Sequence, residues 1–561
     1  MRVDGIECIL RKPAVPSLRL AHLVLVLRCH GRVRSGCRTG KACAVPWRHQ
    51  AAVAADPAQF YLCRDARLHY RSCIAGAQFR LVAGHDLDRW CRHDGNVHGG
   101  HPCHRPDGPV ATGSGAVRRF SGRDWWFIGL LATIYAFNFI DRMIIAVVGE
   151  PIRQEFGLSD FQLGIMGGAA FALFYGGIGI PIARLAERVN RIGIVAAATA
   201  LWSLMTMLSG AATGYVQLLL ARMGVGIGEA GFTPPVVSLI ADRFPPERRA
   251  TVFSTIAVGV SVGGAIGVLG GGWIAQTYGW RWAFVAAGAP GLLLALLLWL
   301  TIREPVRLNA GQGAPPFGAV IRRVGRSRAF VAFTVGSGMV ALVGFGLNLF
   351  LIPLLVRRFD FDLAEAALTF AITFSAATAL GGVTGGLIAD RFAAGAHRRY
   401  GYLPMLATML AMPLFLAAIY QDEWRIMAVL LFGSTFCLYA FLPTIMTVTQ
   451  RLVEPRMRAT AAAIHAFGQT VFGLGLGSAF LGYMSDVMAT TRYGTHYAQE
   501  CMDSGAVVTS ACAEAAGTGL QQALLLLGLF LLLAIFCYWL AARSIAGEIA
   551  VIESVRDERG T

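Results

Sequence analysis

Residues 249–251 read Arg-Ala-Thr, and the same three residues return at positions 458–460, again after a polar loop. At the same spacing Gly259 matches Gly468, and each begins a glycine-rich apolar run. A second pair of loops repeats at a similar spacing, because Leu-Ala-Glu-Arg at 185–188 corresponds to Ile-Ala-Asp-Arg at 388–391. Repetition at a spacing of roughly 200 residues indicates two homologous halves.

The composition places both halves in a membrane. Hydrophobic residues make up 55% of the 561-residue chain, charged residues make up 15%, and the mean hydropathy is +0.56. A soluble domain carries roughly 25% charged residues. From residue 121 onward apolar runs of about 20 residues recur, which is the length that a helix needs to cross a bilayer. The expected spans are residues 126–148, 163–183, 192–211, 216–240, 252–276, 282–302, 329–356, 365–389, 401–420, 425–449, 460–485 and 519–542.

The sequence therefore predicts an all-α membrane protein with twelve transmembrane helices in two homologous six-helix bundles. The bundles are residues 121–302 and 329–561, joined by a cytoplasmic linker at 303–328. If both termini are cytoplasmic, the cytoplasmic segments carry roughly four times as many arginines as the external loops, as the positive-inside rule requires. We expect a monomeric, multi-pass protein of the plasma (inner) membrane.

The lysines exclude several classes of protein. There are only two, Lys12 and Lys41, so nothing beyond residue 41 can be a P-loop lysine or a Schiff-base lysine. This excludes an ABC-type ATPase core and a retinal- or PLP-binding protein. Most of the net charge of +16 comes from residues 1–120 and does not indicate nucleic-acid binding. We expect no cofactor and no metal, and the spans contain no nucleophile–base constellation typical of an enzyme.

Residues 1–120 differ from the rest, because they are rich in Arg, His and Cys and lack periodicity. The stretch is a disordered tail, a metal-binding module, or sequence translated from too early a start codon. The apolar run 20–27 is too short for a signal peptide, and no known zinc spacing is present. We favour a start near Val110 or Val117, which an intact mass near 60 kDa for the native protein would contradict. The metal-binding alternative would use Cys91, His93, His98, His101, Cys103 and His104.

Four segments resemble the major facilitator superfamily of secondary transporters. The segment 183–191, Ala-Arg-Leu-Ala-Glu-Arg-Val-Asn-Arg, resembles its loop 2–3 signature Gly-x-Leu-Ala-Asp-Arg-x-Gly-Arg, with Ala183 and Asn190 in place of the glycines and Glu187 in place of the aspartate. The run 222–230, Arg-Met-Gly-Val-Gly-Ile-Gly-Glu-Ala, resembles its fourth-helix motif Arg-x-x-x-Gly-x-Gly. With Asn-Phe-Ile-Asp-Arg at 138–142 and Phe-Pro-Pro-Glu-Arg-Arg-Ala-Thr at 244–251, the chain is most similar to the spinster-like branch.

The resemblance covers residues 121–561 and implies the major facilitator fold with alternating access between the two bundles. Animal members of the spinster-like branch are associated with export of sphingolipids or lysolipids. The resemblance thus implies a small-molecule or lipid-like substrate, either a small organic or an amphipathic solute.

Charged residues inside the spans form the candidate site. Asp141 and Arg142 lie within span 1, where a charge costs roughly a few kcal/mol and usually faces a cavity or a partner. Arg222 and Glu229 are seven residues apart on span 4, hence on one face and about 10 Å apart along the axis. Arg222 can pair with Asp141 or with Glu229, which leaves the other carboxylate free to bind a coupling proton. The alternative is that these are structural ion pairs between helices.

His465 and Gln469 lie four residues apart on span 11 and are candidates for substrate contacts from the second bundle. A satisfied polar contact between helices is the alternative for both. The leading hypothesis is a proton-coupled secondary transporter in which the substrate takes an arginine and releases Glu229 to bind the proton. An uncoupled facilitator and a membrane sensor that binds without transport are the alternatives, and a membrane enzyme is disfavoured.

Charged loop residues predict a gate at the cytoplasmic face. Ion pairs between the bundles there would form when the carrier faces outward and break when it faces inward. The alternative is that the arginines only satisfy the positive-inside rule. The candidate gate residues are Glu187, Arg188, Arg191, Asp390 and Arg391.

Cys501 and Cys512 lie in the long loop 486–518, which the arginine bias places on the external side of the membrane. An oxidising compartment favours a disulfide between them. The alternative is two free thiols.

Overall fold

The computed structural model is almost entirely helical. Besides five short strands, it describes residues 120–186, 188–305, 316–392, 399–440, 442–454, 457–501 and 509–558. The strands belong to one unit, residues 1–116, and the helices belong to a second, residues 117–561. β1 pairs with β2, and β3 lies between β4 and β5, all antiparallel. The strands are Arg2–Val3 (β1), Ile6–Glu7 (β2), Leu23–Cys29 (β3), Gln50–Ala54 (β4) and Ala77–Ala83 (β5).

Twelve apolar helical segments follow one another within the described part of the second unit. Eleven are long and apolar enough to cross a membrane, and the other is the shorter helix Trp424–Ala440. The first six are Gly122–Phe156 (α1), Asp160–Ala186 (α2), Arg191–Gly210 (α3), Tyr215–Arg243 (α4), Pro246–Tyr278 (α5) and Trp280–Thr301 (α6). The second six are Arg328–Phe359 (α7), Leu363–Ile388 (α8), Arg399–Tyr420 (α9), Trp424–Ala440 (α10), Thr460–Tyr493 (α11) and Ser510–Ala550 (α12).

The predicted helical membrane fold is confirmed, with one correction, in the linker. The tenth span, expected at residues 425–449, corresponds to α10 and the helix Leu442–Arg451, and residue 441 between them lies outside the described residues. The linker, expected at 303–328 as a polar connection, contains the helix Phe317–Arg326, which we call the linker helix. A further short helix, Tyr497–Cys501, lies between α11 and α12.

Local sequence signals set the ends of the helices. α1 begins with a capping box, in which the backbone N–H of Asp124 donates to Ser121 Oγ at 3.2 Å and that of Ser121 donates to Asp124 Oδ2 at 3.1 Å. α1 ends at Gly157, whose φ of 61° favours glycine. α4 is interrupted, since Tyr215–Ala230 and Thr233–Arg243 are separate pieces and Pro234 and Pro235 lie in the first turn of the second. The interruption falls directly before the two prolines, a residue type that is favoured in the first turn of a helix.

The repeated glycines bring equivalent helices together in the two halves. A Cβ at Gly259 of α5 would collide with the Ala132 carbonyl of α1, and a Cβ at Gly468 of α11 would lie 2.9 Å from Thr334 Cγ2 of α7. Small residues permit such close approach between helices in a bilayer. The fifth helix of each half therefore packs against the first, as the repeat in the sequence implies.

The spanning helices define two faces of the second unit. α1 and α7 begin on the same face, at Ser121 and Ser327. The linker helix lies near this face, which we call the linker face. α1 and α7 end at Gly157 and Asp360 on the other face, which we call the opposite face.

Candidate substrate and proton site

One ion pair joins the middle of α1 to α4. Arg222 Nη1 lies 3.0 Å from Asp141 Oδ1, and both side chains are only 2% exposed. Thr206 of α3 donates a hydrogen bond from its hydroxyl to Asp141 Oδ2. Three helices of the first half therefore converge on the Asp141 carboxylate, which is fully enclosed.

A second ion pair uses the next residue of α1. Arg142 Nε lies 2.6 Å from Glu229 Oε2, with Glu229 completely buried and the Arg142 side chain 25% exposed. The expectation that Arg222 would leave one carboxylate unpaired is therefore wrong for this conformation. The reason is that Arg142 pairs with Glu229 while Arg222 pairs with Asp141.

Each ion pair retains an unused polar atom. Glu229 Oε1 and Arg222 Nε are buried and form no hydrogen bond within the described residues. Most buried polar atoms in proteins do have a partner, so two exceptions in adjacent ion pairs are unusual. Oε1 offers a position at which Glu229 can receive a proton without breaking an existing hydrogen bond.

Three aromatic rings surround the partly exposed arginine. The Arg142 guanidinium carbon lies 5.3 Å from the ring centroid of Phe139, 5.2 Å from that of Phe171 and 4.8 Å from that of Tyr175. Cations are attracted to aromatic faces at these distances. The site therefore combines a positive charge with an apolar, aromatic surround.

His465 and Gln469, the two candidates for substrate contacts from the second half, take no part in these two ion pairs. His465 is completely buried, its Nδ1 lies 3.1 Å from Thr334 Oγ1, and its Nε2 lies 3.5 Å from Ser337 Oγ. Both partners belong to α7 of the same half, so His465 forms a contact between helices of one bundle. Gln469 is half-buried one turn further along α11.

Among the described residues, the predicted gate arginines form no ion pair that joins the halves. Arg191 is buried, with Nη1 2.6 Å from Asp242 Oδ2 and Nε 2.6 Å from Glu304 Oε1. It therefore ties α3 to α4 and to the start of the linker. Arg188 and Arg391 are exposed, whereas Glu187 and the Asp390 side chain lie outside the described residues.

Sequence reasoning missed an ion-pair network on the opposite face. Arg357 of α7 lies 2.6 Å from Glu150 of α1 and 2.7 Å from Asp160 of α2, measured from Nη2 to Oε2 and Oδ1. All three side chains are at most 5% exposed. The two carboxylates belong to the first half and the arginine belongs to the second. This network, which we call the latch, binds the halves together.

The latch is reinforced by α11. The Asp486 carboxylate accepts hydrogen bonds from the backbone N–H groups of Asp160, at 3.0 Å, and Phe161, at 2.9 Å. Ser485 Oγ donates to Asp160 Oδ2 at 2.6 Å. An aspartate of the second half thereby caps the first turn of α2 in the first half.

A disulfide lies close to the latch. It joins Cys501 and Cys512, whose Cα atoms are 5.5 Å apart. Tyr497, in the helix that ends at Cys501, is buried against Ala489 of α11 and Ala515 of α12. Burial and the neighbouring Asp160 carboxylate raise the pKa of Tyr497 to about 12, so it remains a neutral phenol at physiological pH.

A model of the Major Facilitator Superfamily matches residues 131–478. The chain belongs to this superfamily, and it is a multi-pass membrane transporter rather than an enzyme. Within the described residues no group of three His, Cys, Asp or Glu side chains is arranged to hold a metal ion.

Known relatives identify the spinster-like branch. The crystal structure of a bacterial homologue of the human lysosomal transporter spinster, inward-facing and unoccupied, matches with a TM-score of 0.68 and 33% identity, over 77% of this chain and 99% of that one. An MFS-type efflux pump of Mycolicibacterium smegmatis (strain ATCC 700084 / mc(2)155) is 32% identical over 76% of this chain and 94% of the relative. A sphingosine-1-phosphate transporter of Danio rerio is 25% identical over 64% of this chain and 75% of the relative. The predicted resemblance is confirmed.

Proposed function

We propose that this transporter moves a small organic or amphipathic solute with an anionic group, by alternating access and together with a proton. The observation that carries the proposal is the pair of adjacent ion pairs, of which Arg142 alone is substantially exposed, amid three aromatic rings. An anionic headgroup suits the guanidinium, and an apolar body suits the rings. The Danio rerio relative is named for a phosphorylated lipid, and such a lipid has an anionic group and an apolar body like the proposed solute.

The first step of the mechanism is an exchange of partners. The anionic group of the solute binds Arg142 in competition with Glu229, whose carboxylate is then buried without a partner. Burying an unpaired carboxylate is costly, and binding a proton removes the charge. The unused Glu229 Oε1 is available to receive that proton.

Charge balance explains why the proton and the solute move together. The empty site contains two arginines and two carboxylates, so its net charge is zero. A bound monoanion makes the site negative, and a proton on Glu229 restores neutrality. A neutral site reorients across a low-dielectric bilayer at lower cost than a charged one. For a monoanionic solute the mechanism therefore predicts one proton for each solute molecule.

The two faces supply the gates. The latch closes the opposite face, and we propose that Glu187, Arg188, Arg191, Asp390 and Arg391 close the linker face in the other state. Arg191 would then act from its position between Asp242 and Glu304. We also propose that the linker face is cytoplasmic in the inner membrane, which the arginine distribution and the disulfide near the latch support.

The test begins with purified full-length protein and a thermal-shift panel of organic anions and lysophospholipids. The compound that stabilises it most is then followed in proteoliposomes with an imposed pH gradient. Glu229→Gln mimics the protonated carboxyl, so it should abolish pH-driven accumulation and keep downhill exchange. Glu155→Gln is the matched control, because Glu155 pairs with Arg281 on the surface and both are more than 40% exposed. The control should accumulate solute normally.

The outcomes distinguish the alternatives. Full accumulation by Glu229→Gln would move the proton site to Asp141. If Asp141→Asn also accumulated the solute normally, the transporter would be an uncoupled facilitator. Binding without any exchange in the wild-type protein would instead favour a sensor.

A further inference from the structure

The linker helix, Phe317–Arg326, has an apolar side that the protein covers only in part. Val320 and Val324 are 0% and 4% exposed and share a core with Phe330 of α7 and Ala461 of α11. Ile321 lies three residues before Val324 and is therefore its neighbour on the helix surface, yet it is 47% exposed. The apolar surface of this helix therefore continues beyond its contact with the bundle.

The other side of the linker helix is basic. Arg322 and Arg326 lie one turn apart and are exposed, and Arg328 is exposed at the beginning of α7. None of the three forms an ion pair with a described carboxylate, whereas buried arginines such as Arg191 and Arg357 each pair with two. Three neighbouring positive charges thus remain available to an external anion.

A sharp corner fixes the position of this helix. Only Ser327 separates it from α7, and Ser327 has an extended backbone, with φ −81° and ψ 107°. Glu548, near the C-terminal end of α12, accepts hydrogen bonds from Ser327 Oγ at 2.5 Å and from the backbone N–H of Ala329 at 3.0 Å. The linker helix is therefore anchored where α7 enters the bilayer and departs from the direction of α7.

An amphipathic helix next to the end of a membrane-spanning helix has the properties of an interfacial helix, with apolar residues toward the acyl chains and arginines at the headgroups. We propose that the linker helix binds anionic phospholipid, with Arg322, Arg326 and Arg328 contacting headgroup phosphates and Ile321 inserted beside the acyl chains. The three positive charges indicate an anionic ligand, and the adjacent exposed isoleucine indicates a ligand with an apolar tail. Because Val320 and Val324 pack toward both α7 and α11, bound lipid would also restrain two helices of the second half.

The binding test uses native mass spectrometry of the full-length protein, titrated with equal amounts of phosphatidylglycerol and phosphatidylcholine. Each surface arginine contributes about 1 kcal/mol of attraction to an anionic membrane, and 1.4 kcal/mol corresponds to a tenfold change in affinity. Arg322→Gln/Arg326→Gln removes two of them and should therefore lower the preference for phosphatidylglycerol about thirtyfold. Arg425→Gln/Arg492→Gln is the matched control, because it removes two exposed arginines from the opposite face. It should lower the preference less than twofold.

A second measurement follows the helix itself. Backbone hydrogen exchange over residues 317–326 should slow at least fivefold in nanodiscs of phosphatidylglycerol compared with phosphatidylcholine, and Ile321→Asn should remove that difference while Ile321→Leu keeps it. Equal loss of lipid preference in both double variants would overturn the proposal. Equal rates of backbone hydrogen exchange over residues 317–326 in the two lipids would also overturn it. Competition by inorganic phosphate alone, with no preference between the two lipids, would identify a simple anion site and likewise overturn it.

Discussion

The two faces of the second unit hold their buried arginines in different ways. On the opposite face Arg357 of one half pairs with Glu150 and Asp160 of the other. On the linker face Arg191 pairs equally closely, but with Asp242 of its own half and Glu304 at the start of the linker. Every ion pair between the halves in the described part of the chain thus lies on the opposite face.

The difference shows that burial of a charge does not by itself make a gate. Arg191 and Arg357 are similarly enclosed, with side chains 2% and 4% exposed. Only the second connects the two halves, which move relative to each other in the proposed mechanism. The ion pairs of Arg191 are therefore expected to persist through the transport cycle, whereas those of Arg357 must break and reform.

The largest expected effect follows from Arg357→Gln. Removing one partner of a buried ion pair costs about 3–5 kcal/mol, because the remaining charge stays buried and unpaired. The closed opposite face loses that stabilisation, so its open form should become populated. A cysteine in place of Asn348, which lies beside Met143 between the halves, should react at least ten times faster with an impermeant maleimide from that face. Mass spectrometry of the peptide that contains residue 348 measures the rate.

The control for this experiment is Arg281→Gln. Arg281 pairs with Glu155 at 2.6 Å on the same face, but both side chains are more than 40% exposed and both belong to the first half. Such surface pairs contribute about 0–1 kcal/mol. Equal labelling rates in Arg357→Gln and Arg281→Gln would show that the latch does not hold the face closed.

The disulfide gives the next effect. Closing the short loop between Cys501 and Cys512 stabilises by about 2–4 kcal/mol if loop entropy dominates. Cys501→Ser/Cys512→Ser should lower the thermal midpoint and increase hydrogen exchange around Tyr497. Cys437→Ser, which removes a free, half-buried thiol, should not. Non-reducing mass spectrometry that found both thiols free in native membranes would contradict the disulfide.

A smaller effect is expected from the cap that α11 supplies to α2. Asp486→Ala removes the acceptor for two backbone N–H groups, and loss of such a cap costs about 0.5–2 kcal/mol. Labelling at position 348 should rise severalfold, which is less than with Arg357→Gln. Asp486→Asn keeps an amide oxygen as acceptor and should restore most of the protection. A rise as large in Asp486→Asn as in Asp486→Ala would exclude a capping role.

The smallest effect concerns the linker face. Asp390→Asn should reduce the population in which the linker face is closed, because the predicted gate forms in that state. Distances between spin labels across the linker face would measure this population. Unchanged populations would favour the simpler explanation that the arginines there satisfy the positive-inside rule.

The fold was predictable because hydropathy and the repeat are local and strong signals. Apolar runs determine the helices, and the matching of Gly259 to Gly468 reflects the same contact in each half. The buried charges of α4 were also recognisable, since Arg222 and Glu229 share a face by their spacing. The linker helix was missed, although its apolar residues at positions 317, 320, 321 and 324 have helical spacing.

The latch was not predictable from the same reasoning. Glu150, Asp160 and Arg357 lie at the ends of spans, where charged residues are common and usually meet water. Their importance depends on contacts across about 200 residues of chain, which no local pattern records. The partners of His465 were missed for the same reason, because Thr334 and Ser337 lie on a distant helix.

The central claim is that the latch holds the opposite face closed and that opening this face closes the linker face. It is tested most directly by measuring both faces in one variant. Spin labels attached through unnatural amino acids at Ala211 and Glu423 span the opposite face, and labels at Arg123 and Glu454 span the linker face; all four residues are exposed. In lipid vesicles, Arg357→Gln should lengthen the first distance and shorten the second relative to the wild-type protein. If both distances lengthened together, or if the second did not change, the two faces would not be coupled and the account would be contradicted.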